Sequence, residues 1–376
     1  MNEPTSAQHA VQATAHRLAA ELLAPAASGL DAQEVFPTEN LQALARAGLF
    51  GINLDPAVGG LGAGAVGYAL AVRELAAGCA ATTVAMMVSS MVGEAIQTWG
   101  DADQRARFLP PLTQGAWPAA AFSLSEPGAG SDAASLTTRA VRDGDDYVLD
   151  GTKAWVTSGG HAGLYLVMAR TDPNEKSKGI SAFVVEAGTP GLTAARPEEK
   201  LGLRGSATTQ LILEGCRVPA ANRLGPEGIG FRIAMTALDG GRIGVSAQAC
   251  GIATAAQAIA VRHARSHPGS DGAQRVAESE AELRAGVGLC LQAAALKDAR
   301  RPFTRQAAMA KLYCTEMAGR VCQRTLRLLD LAGQERTHRA ERLARDARVT
   351  RIYEGTSEVQ RIVIAREVLA AAASRA

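Results

Sequence analysis

Three short runs of this 376-residue chain carry side chains able to do chemistry together. In RIYEGTSE (351–358), Glu354 follows Ile352 and Tyr353 and precedes Gly355. Bulky apolar neighbours desolvate a carboxylate, and desolvation raises its proton affinity toward that of a general base working near neutral pH. Gly355 permits a sharp turn and a close substrate. Thr356 is placed to cap a helix whose apolar side carries Val359, Ile362, Val363 and Val368. A solvated loop acid has the same local composition, so this run alone leaves both readings open. In AFSLSEPGAGSD (121–132), Phe122, Ser123, Leu124 and Ser125 precede a turn after which come Ser131 and Asp132. Pro127, Gly128 and Gly130 let backbone N–H groups face an anionic or polar ligand; an ordinary loop leading into a new domain would read the same. In GTKAWVTSGG (151–160), strand alternation puts Trp155 and Thr157 on one face. A flat apolar wall beside a hydroxyl suits a planar ring with a hydrogen-bonding edge, and a core Trp beside a surface Thr is the plainer alternative.

These runs lie at the seams between contrasting textures. Residues 1–117 read as helical. Val11, Leu18, Leu22 and Leu23 form a stripe disturbed by Pro25, and Leu41, Leu44 and Ala45 form a second one ended by Gly48. NLDPAVGGLGAG (53–64) is turn chemistry, 65–99 is a long Ala-rich apolar stretch interrupted by Gly78 and Gly93, and Pro110 and Pro111 close the region. Residues 118–226 change to short β-branched and aliphatic runs at 147–156, 164–171, 180–186 and 208–213, punctuated by Asp-Gly, Pro-Gly and Glu-Gly turns. Strand–helix alternation is absent, so a doubly wound sheet is not expected. Residues 227–376 are helical again, with Gly240 and Gly241 ahead of a long helix and further helices over 273–298, 304–330 and 356–373. The expected fold is α+β: an N-terminal helical domain (1–117), a central antiparallel β-barrel or sheet domain (118–226) and a C-terminal four-helix bundle (227–376).

Composition removes several function classes. Lys plus Arg is 39 and Asp plus Glu 37, a formal net charge of +2, which argues against a partner held by phosphate contacts such as nucleic acid. Aromatics at 4% argue against a stacking platform for single strands. No run of about 18 consecutive apolar residues exists to cross a bilayer, so no membrane insertion is expected. The first 25 residues read as an amphipathic helix rather than a targeting segment. The six Cys form no CxxC, and His263 and His267 have no carboxylate completing a metal motif. Reduced thiols, a cytoplasmic location and no metal are the expectation.

Taken in order, SEPGAGSD, KAWVT (153–157), KLGLRGS (200–206), LDGGRIG (238–244), RDARV (345–349) and IYEGTSE resemble the acyl-CoA dehydrogenase family, and the texture around LDGGRIG is most similar to its bacterial short-chain and branched-chain members. The resemblance implies the helix–sheet–helix fold, FAD as cofactor, and α,β-dehydrogenation of a short or branched acyl-CoA thioester. It implies Glu354 as the base that removes the α-proton while the β-hydride goes to flavin N5, with the Glu354 backbone N–H stabilising the thioester oxygen. It places Phe122, Ser123, Leu124 and Ser125 at the flavin pyrimidine edge, Trp155, Val156 and Thr157 against the ring near N5, and Thr356 and Glu358 at the flavin-side cap of the last helix. Ser131 would lie near the pantetheine and the cofactor phosphates. Asp239, Gly241, Arg242 and Gly355 would serve the substrate side. An electron-transfer flavoprotein or similar acceptor and a homotetramer built as a dimer of dimers are also implied. The apolar helices at 292–296 and 307–321 are the expected interface.

The sequence departs from the family in two places. HARSHPGSDGAQRVAESE (263–280) lacks the Arg–x–x–Phe–Gly and Phe–Gln elements with which a neighbouring subunit holds the FAD pyrophosphate and adenine. RLLDLAGQE (327–335) puts Asp330 and Leu331 where two glycines belong. A side chain there blocks close backbone approach, and Asp330 adds repulsion toward a pyrophosphate, although Arg324 or Arg327 offer replacement cations. Two functions therefore stay open: an active dehydrogenase, or a family-like subunit with weak or absent FAD that acts as the partner of a paralogue in a hetero-oligomer. Met86, Met87, Val88 and Met91 either line the pocket floor or fill the core.

Overall fold

The computed structural model describes residues 3–268 and 271–373. Helix α1 (Ser6–Leu18) opens on a capping box between Thr5 and Gln8. Pro25 does not end it. A π-turn at Ala19–Leu23 carries the chain into α2 (Ala24–Gln33), where Pro25 sits in the first turn and its missing N–H costs little. Helices α3 (Thr38–Arg46), α4 (Gly64–Gly78), α5 (Ala80–Trp99) and α6 (Ala102–Thr113) complete the first region. Gly93 lies inside α5 rather than breaking it, and Pro110 and Pro111 lie inside α6 rather than after it.

The sheet contains β1 (Ala120–Ser123), β2 (Arg139–Asp143), β3 (Asp146–Thr157), β4 (Leu164–Arg170), β5 (Ile180–Glu186), β6 (Leu192–Ala194), β7 (Thr208–Pro219) and β8 (Arg223–Leu224). Its order is β6-β7-β3-β2-β4-β5-β8, with β1 also on β4. The sheet is mixed rather than purely antiparallel: β1 runs parallel to β4, and β2 touches β4 in parallel at Arg139–Arg170. Alternation in β4 and β5 explains their continuous apolar sequence. Leu164, Leu166, Met168, Ile180, Ala182 and Val184 join the helical core, while Tyr165, Val167, Ala169, Phe183 and Val185 join a separate core on the opposite face.

The third region contains α7 (Gly230–Ser266), α8 (Gly272–Asp298), α9 (Thr304–Gln334), α10 (Arg339–Val349) and α11 (Ser357–Ala373). Helix α7 starts ahead of Gly240 and Gly241 and runs through them. It packs on α4, α5, α8, α9, α10 and β5. By length and composition it would span a membrane, but 89% of its most apolar window is buried in the protein, which marks a core helix. The six cysteines are free and buried. Residues 269 and 270, within the altered 263–280 stretch, lie outside the described residues.

One polar joint fixes the sheet region against the helices, and a second fixes the sheet region internally. On α10, Arg345 pairs with Asp31 at 2.6 Å and donates to the Leu201 carbonyl at 3.0 Å, while Asp346 Oδ1 accepts the Leu203 N–H at 2.7 Å. Burial pushes the Asp346 carboxyl up to about 6. The KLGLRGS and RDARV motifs are thus the two halves of one clamp. The second joint is the buried Lys153–Glu126 pair at 2.7 Å. Glu126 also accepts N–H and hydroxyl bonds from both Thr137 and Thr138, and Lys153 Nζ reaches the Leu124 carbonyl at 3.3 Å. Burial works against the Glu126 anion, but the Lys153 ammonium and the threonine donors outweigh it and hold the carboxyl at about 2. Burial brings Lys153 down to about 8 against the pull of Glu126.

Removing one partner of such a pair strands the other charge. Glu126→Gln or Lys153→Met is expected to lose about 3–5 kcal/mol, and the double variant to regain a large part of it. Urea unfolding midpoints of the three variants check this; equal losses in single and double variants would refute it.

Candidate active site

The turn carrying Glu354 is strained and heavily braced. Glu354 takes φ 56° and Gly355 φ 86°, both left-handed, a conformation costing a non-glycine residue about 1–2 kcal/mol. Gln360 Nε2 donates to the Glu354 carbonyl at 3.2 Å and to the Gly355 carbonyl at 2.9 Å, and Lys311 Nζ donates to Gly355 O at 2.8 Å. Tyr353 Oη donates to Gln248 on α7. Arg351 pairs with Glu316 of α9, which also accepts from Ser357 Oγ. Val359 N–H donates to Thr356 Oγ1 at 3.4 Å at the start of α11, and Glu358 is exposed beside it.

The Glu354 side chain is aimed at α7. A Cβ added to Gly241 would stand 2.7 Å from Glu354 Oε2, so the carboxylate needs that glycine. Oε2 has no solvent exposure and no hydrogen-bond partner. Burial pushes the carboxyl up to about 7, opposed by Arg242 and then Lys311. Arg242 is buried and pairs with Asp239 at 2.5 Å, and Asp239 accepts from Thr304 at 2.7 Å. Gly355, Asp239, Gly241 and Arg242 are therefore gathered around Glu354. One turn along α7 from Gly241, a Cβ on Gly244 would meet Tyr68 Oη at 2.8 Å and Met87 Cε at 3.1 Å. Met86, Met87, Val88 and Met91 are all buried in α5.

The second group is assembled on the sheet. The Ser125 carbonyl accepts Ala154 N–H at 2.8 Å, which lays Phe122–Ser125 beside Lys153–Thr157. Trp155 takes φ 59° where the β3–β7 register shifts, and it is 63% exposed. Val156 is buried and Thr157 half-buried. The buried hydroxyls of Ser123, Ser158 and Thr209 have no protein partner. An uncovered indole face beside orphaned hydroxyls fits the ring end of a flavin. Ser131 stands apart on an exposed turn.

The stretch that the resemblance puts at the cofactor pyrophosphate fits such a group less well. Asp330 kinks α9 at φ 52°, ψ −137°, a bend that glycine adopts freely, and Leu331 is 76% exposed. Arg324 is already committed to Glu278 and Glu282. The apolar side expected for α11 is also different: Ser357, Gln360 and Val363 are buried, while Ile362, Val368 and Leu369 face outward. Much of 292–296 and 307–321 is enclosed, including Ala293, Ala294, Ala307, Ala310, Cys314 and Val321. Lys311, Gln360 and Gln248 escaped notice in the sequence, although a lysine amid AAMAKLYC is a polar residue on a core stripe and was a usable signal.

The acyl-CoA dehydrogenase family matches in three parts: the N-terminal domain over residues 5–116, the middle domain over 121–216 and the C-terminal domain over 228–369. The chain is 42% identical to the acryloyl-CoA reductase (NADH) of Anaerotignum propionicum, across 97% of this chain and 95% of that protein. It is 41% identical to the mitochondrial short-chain specific acyl-CoA dehydrogenase of Rattus norvegicus, across 95% and 88%. Butyryl-CoA dehydrogenase from Megasphaera elsdenii superposes with a TM-score of 0.95 at 36% identity, covering 98% of this chain and all of that one.

A carboxyl whose folded proton affinity is raised contributes stability below its unfolded pKa of about 4.3 and loses it as pH rises through about 7. Glu354→Gln is therefore expected to be more stable than the parent above pH 8, by about 3 kcal/mol at most, with the gain vanishing toward pH 4. Thermal melts at pH 5 and pH 8.5 check this; a gain independent of pH would overturn it.

Proposed function

The chain belongs to the acyl-CoA dehydrogenase family, and from that premise we propose that it dehydrogenates a short or branched acyl-CoA thioester between its α and β carbons, with Glu354 as base. The observation carrying this reading is the Glu354 carboxylate itself, one oxygen of which, Oε2, is buried without a hydrogen-bond donor and seated on Gly241. A base in that state has its proton affinity near neutral pH and an oxygen ready for a substrate C–H. The Glu354 backbone N–H serves the thioester oxygen as negative charge develops there. Asp239 and Arg242 shape the substrate side, and Gly241 and Gly355 give it room. Tyr68 and Met87 close on α7 at Gly244, which favours a short acyl group.

The cofactor is FAD, and when bound it supplies the acceptor for the β-hydride. Trp155 would cover its ring, Phe122 to Ser125, Val156 and Thr157 would meet its edge, and Thr356 and Glu358 would flank it from the start of α11. Ser131 serves the pantetheine and phosphates. An electron-transfer flavoprotein or similar acceptor reoxidises the enzyme, which works in the cytoplasm as a homotetramer. The outward Ile362, Val368 and Leu369 of α11 are the apolar surface that supports assembly. One observation favours a second reading, a subunit that holds FAD weakly beside a paralogue: the Asp330 carboxylate occupies a glycine bend.

Glu354→Gln keeps size and polarity but cannot accept the proton, so turnover should fall by ~1,000-fold or more while acyl-CoA binding persists. Assays of butyryl-CoA against octanoyl-CoA with an artificial electron acceptor check base and chain length together. A fully active variant sinks the base, and faster octanoyl turnover sinks the short pocket.

The dehydrogenase reading expects a yellow homo-oligomer. Dialysis followed by FAD titration decides between the two readings. Flavin lost on dialysis and restored only with a co-expressed paralogue supports the weak-FAD subunit; stoichiometric flavin that survives dialysis rules it out.

A further inference from the structure

Helix α9 puts an unusual group beside the base. Lys311 is fully buried, at 0% exposure, within a run of apolar residues. Its Nζ donates to the Gly355 carbonyl at 2.8 Å. Among the described residues no carboxylate pairs with it within ion-pair distance. Its neighbours are matched differently: Arg242 has Asp239, and Arg351 has Glu316. A buried cation without a contacting anion costs several kcal/mol, and a core position does not keep one without compensation. The compensation is the Glu354 turn, whose left-handed backbone Lys311 pins and whose carboxylate is near enough to interact with it by charge.

We propose that Lys311 is a positioning residue for Glu354, holding its turn through Gly355 and favouring its carboxylate form by charge. This rests on the reading of Glu354 as base. The groups facing the pair come from four elements. Arg242 of α7 and Lys311 favour the Glu354 anion, while Tyr353 and Tyr68 of α4 lie close to it. Lys311 itself faces Glu354, Arg242, Glu316 of α9 and Glu358 of α11. Burial brings Lys311 down to about 7, with Glu354 pulling it back up, so each group supports the charge of the other. The sign follows. Activity needs ionised Glu354 and rises with pH through its titration. Loss of the Lys311 charge removes an attraction that favours the anion, so the acid limb must move to higher pH.

Three variants separate the two roles. Lys311→Gln keeps a donor for Gly355 and loses the charge, Lys311→Met loses both, and Lys311→Arg keeps a permanent charge. Profiles of kcat and kcat/KM against pH are measured with butyryl-CoA and an artificial acceptor, with E354Q alongside. In K311Q and K311M the acid limb should move up by about one pH unit, roughly a tenfold loss below the limb. The alkaline plateau of kcat should hold in K311Q and fall in K311M, which has lost the pin. K311R should leave the limb at or below the parent value, and where K311Q does not fold, K311R decides alone: a limb moved up overturns the proposal. An unmoved limb in K311Q overturns it as well. If E354Q turns over normally, the base assignment fails and this inference with it. If E354Q is inactive and the K311Q limb stays put, only the role of Lys311 fails.

Discussion

A single contact governs the design: the Glu354 carboxylate lies against α7 at a residue with no side chain. Any Cβ at position 241 would stand 2.7 Å from Oε2, well inside van der Waals contact. The contact leaves that oxygen dry and undonated, a state that disfavours the anion. It persists because the backbone on either side of Glu354 is over-determined. Gln360, Lys311, the Tyr353–Gln248 bond and the Arg351–Glu316–Ser357 group tie one turn to α7, α9 and α11 together. The three helices hold a carboxylate where none of them offers it a hydrogen bond.

The sheet must then be held at a fixed place relative to that turn, and apolar packing is poorly suited to the task because it slides. Directional polar groups do it instead, one set inside the sheet region and one between it and the helices. The Lys153–Glu126 pair ties the Phe122–Ser125 segment to β3 immediately before Trp155. The Arg345–Asp31 and Asp346–Leu203 bonds lock the loop after β6 onto α10 and α2. Buried ionic groups contribute little net stability and can specify register, and here they stand where register sets how Phe122–Ser125 lies against Trp155 and Thr157.

The sequence was most legible where chemistry and periodicity coincide. The strands over 147–156, 164–171 and 180–186 match β3, β4 and β5 closely, because β-branched runs ended by Gly turns leave few alternatives. Short β1, β6 and β8 have too few residues to show a period, and β2 is mostly exposed. Helix α10 was hidden because its buried face includes Arg342 and Asp346, charges that pattern reading assigns to solvent. Glu354, Gly241 and Arg242 were readable as site residues and do converge. The braces Gln248 and Gln360 were not, and Lys311 showed only as a polar residue on an apolar stripe, whose meaning comes from a partner far away in the chain. Trp155 and Thr157 share the more exposed side of β3 as alternation requires, although a bulge that no local signal announces carries Trp155 there.

Helix α7 has a consequence for how the protein is made. Its apolar surface is enclosed partly by α4 and α5, synthesised earlier, and partly by α8, α9 and α10, synthesised later. During translation this 37-residue segment leaves the ribosome with half its coat still unmade. Until the chain reaches Val349, it presents to the cell what a membrane-targeting receptor or a chaperone recognises, a long helix with an apolar central stretch. Completion of the chain, rather than the local strength of α7, ends that exposure.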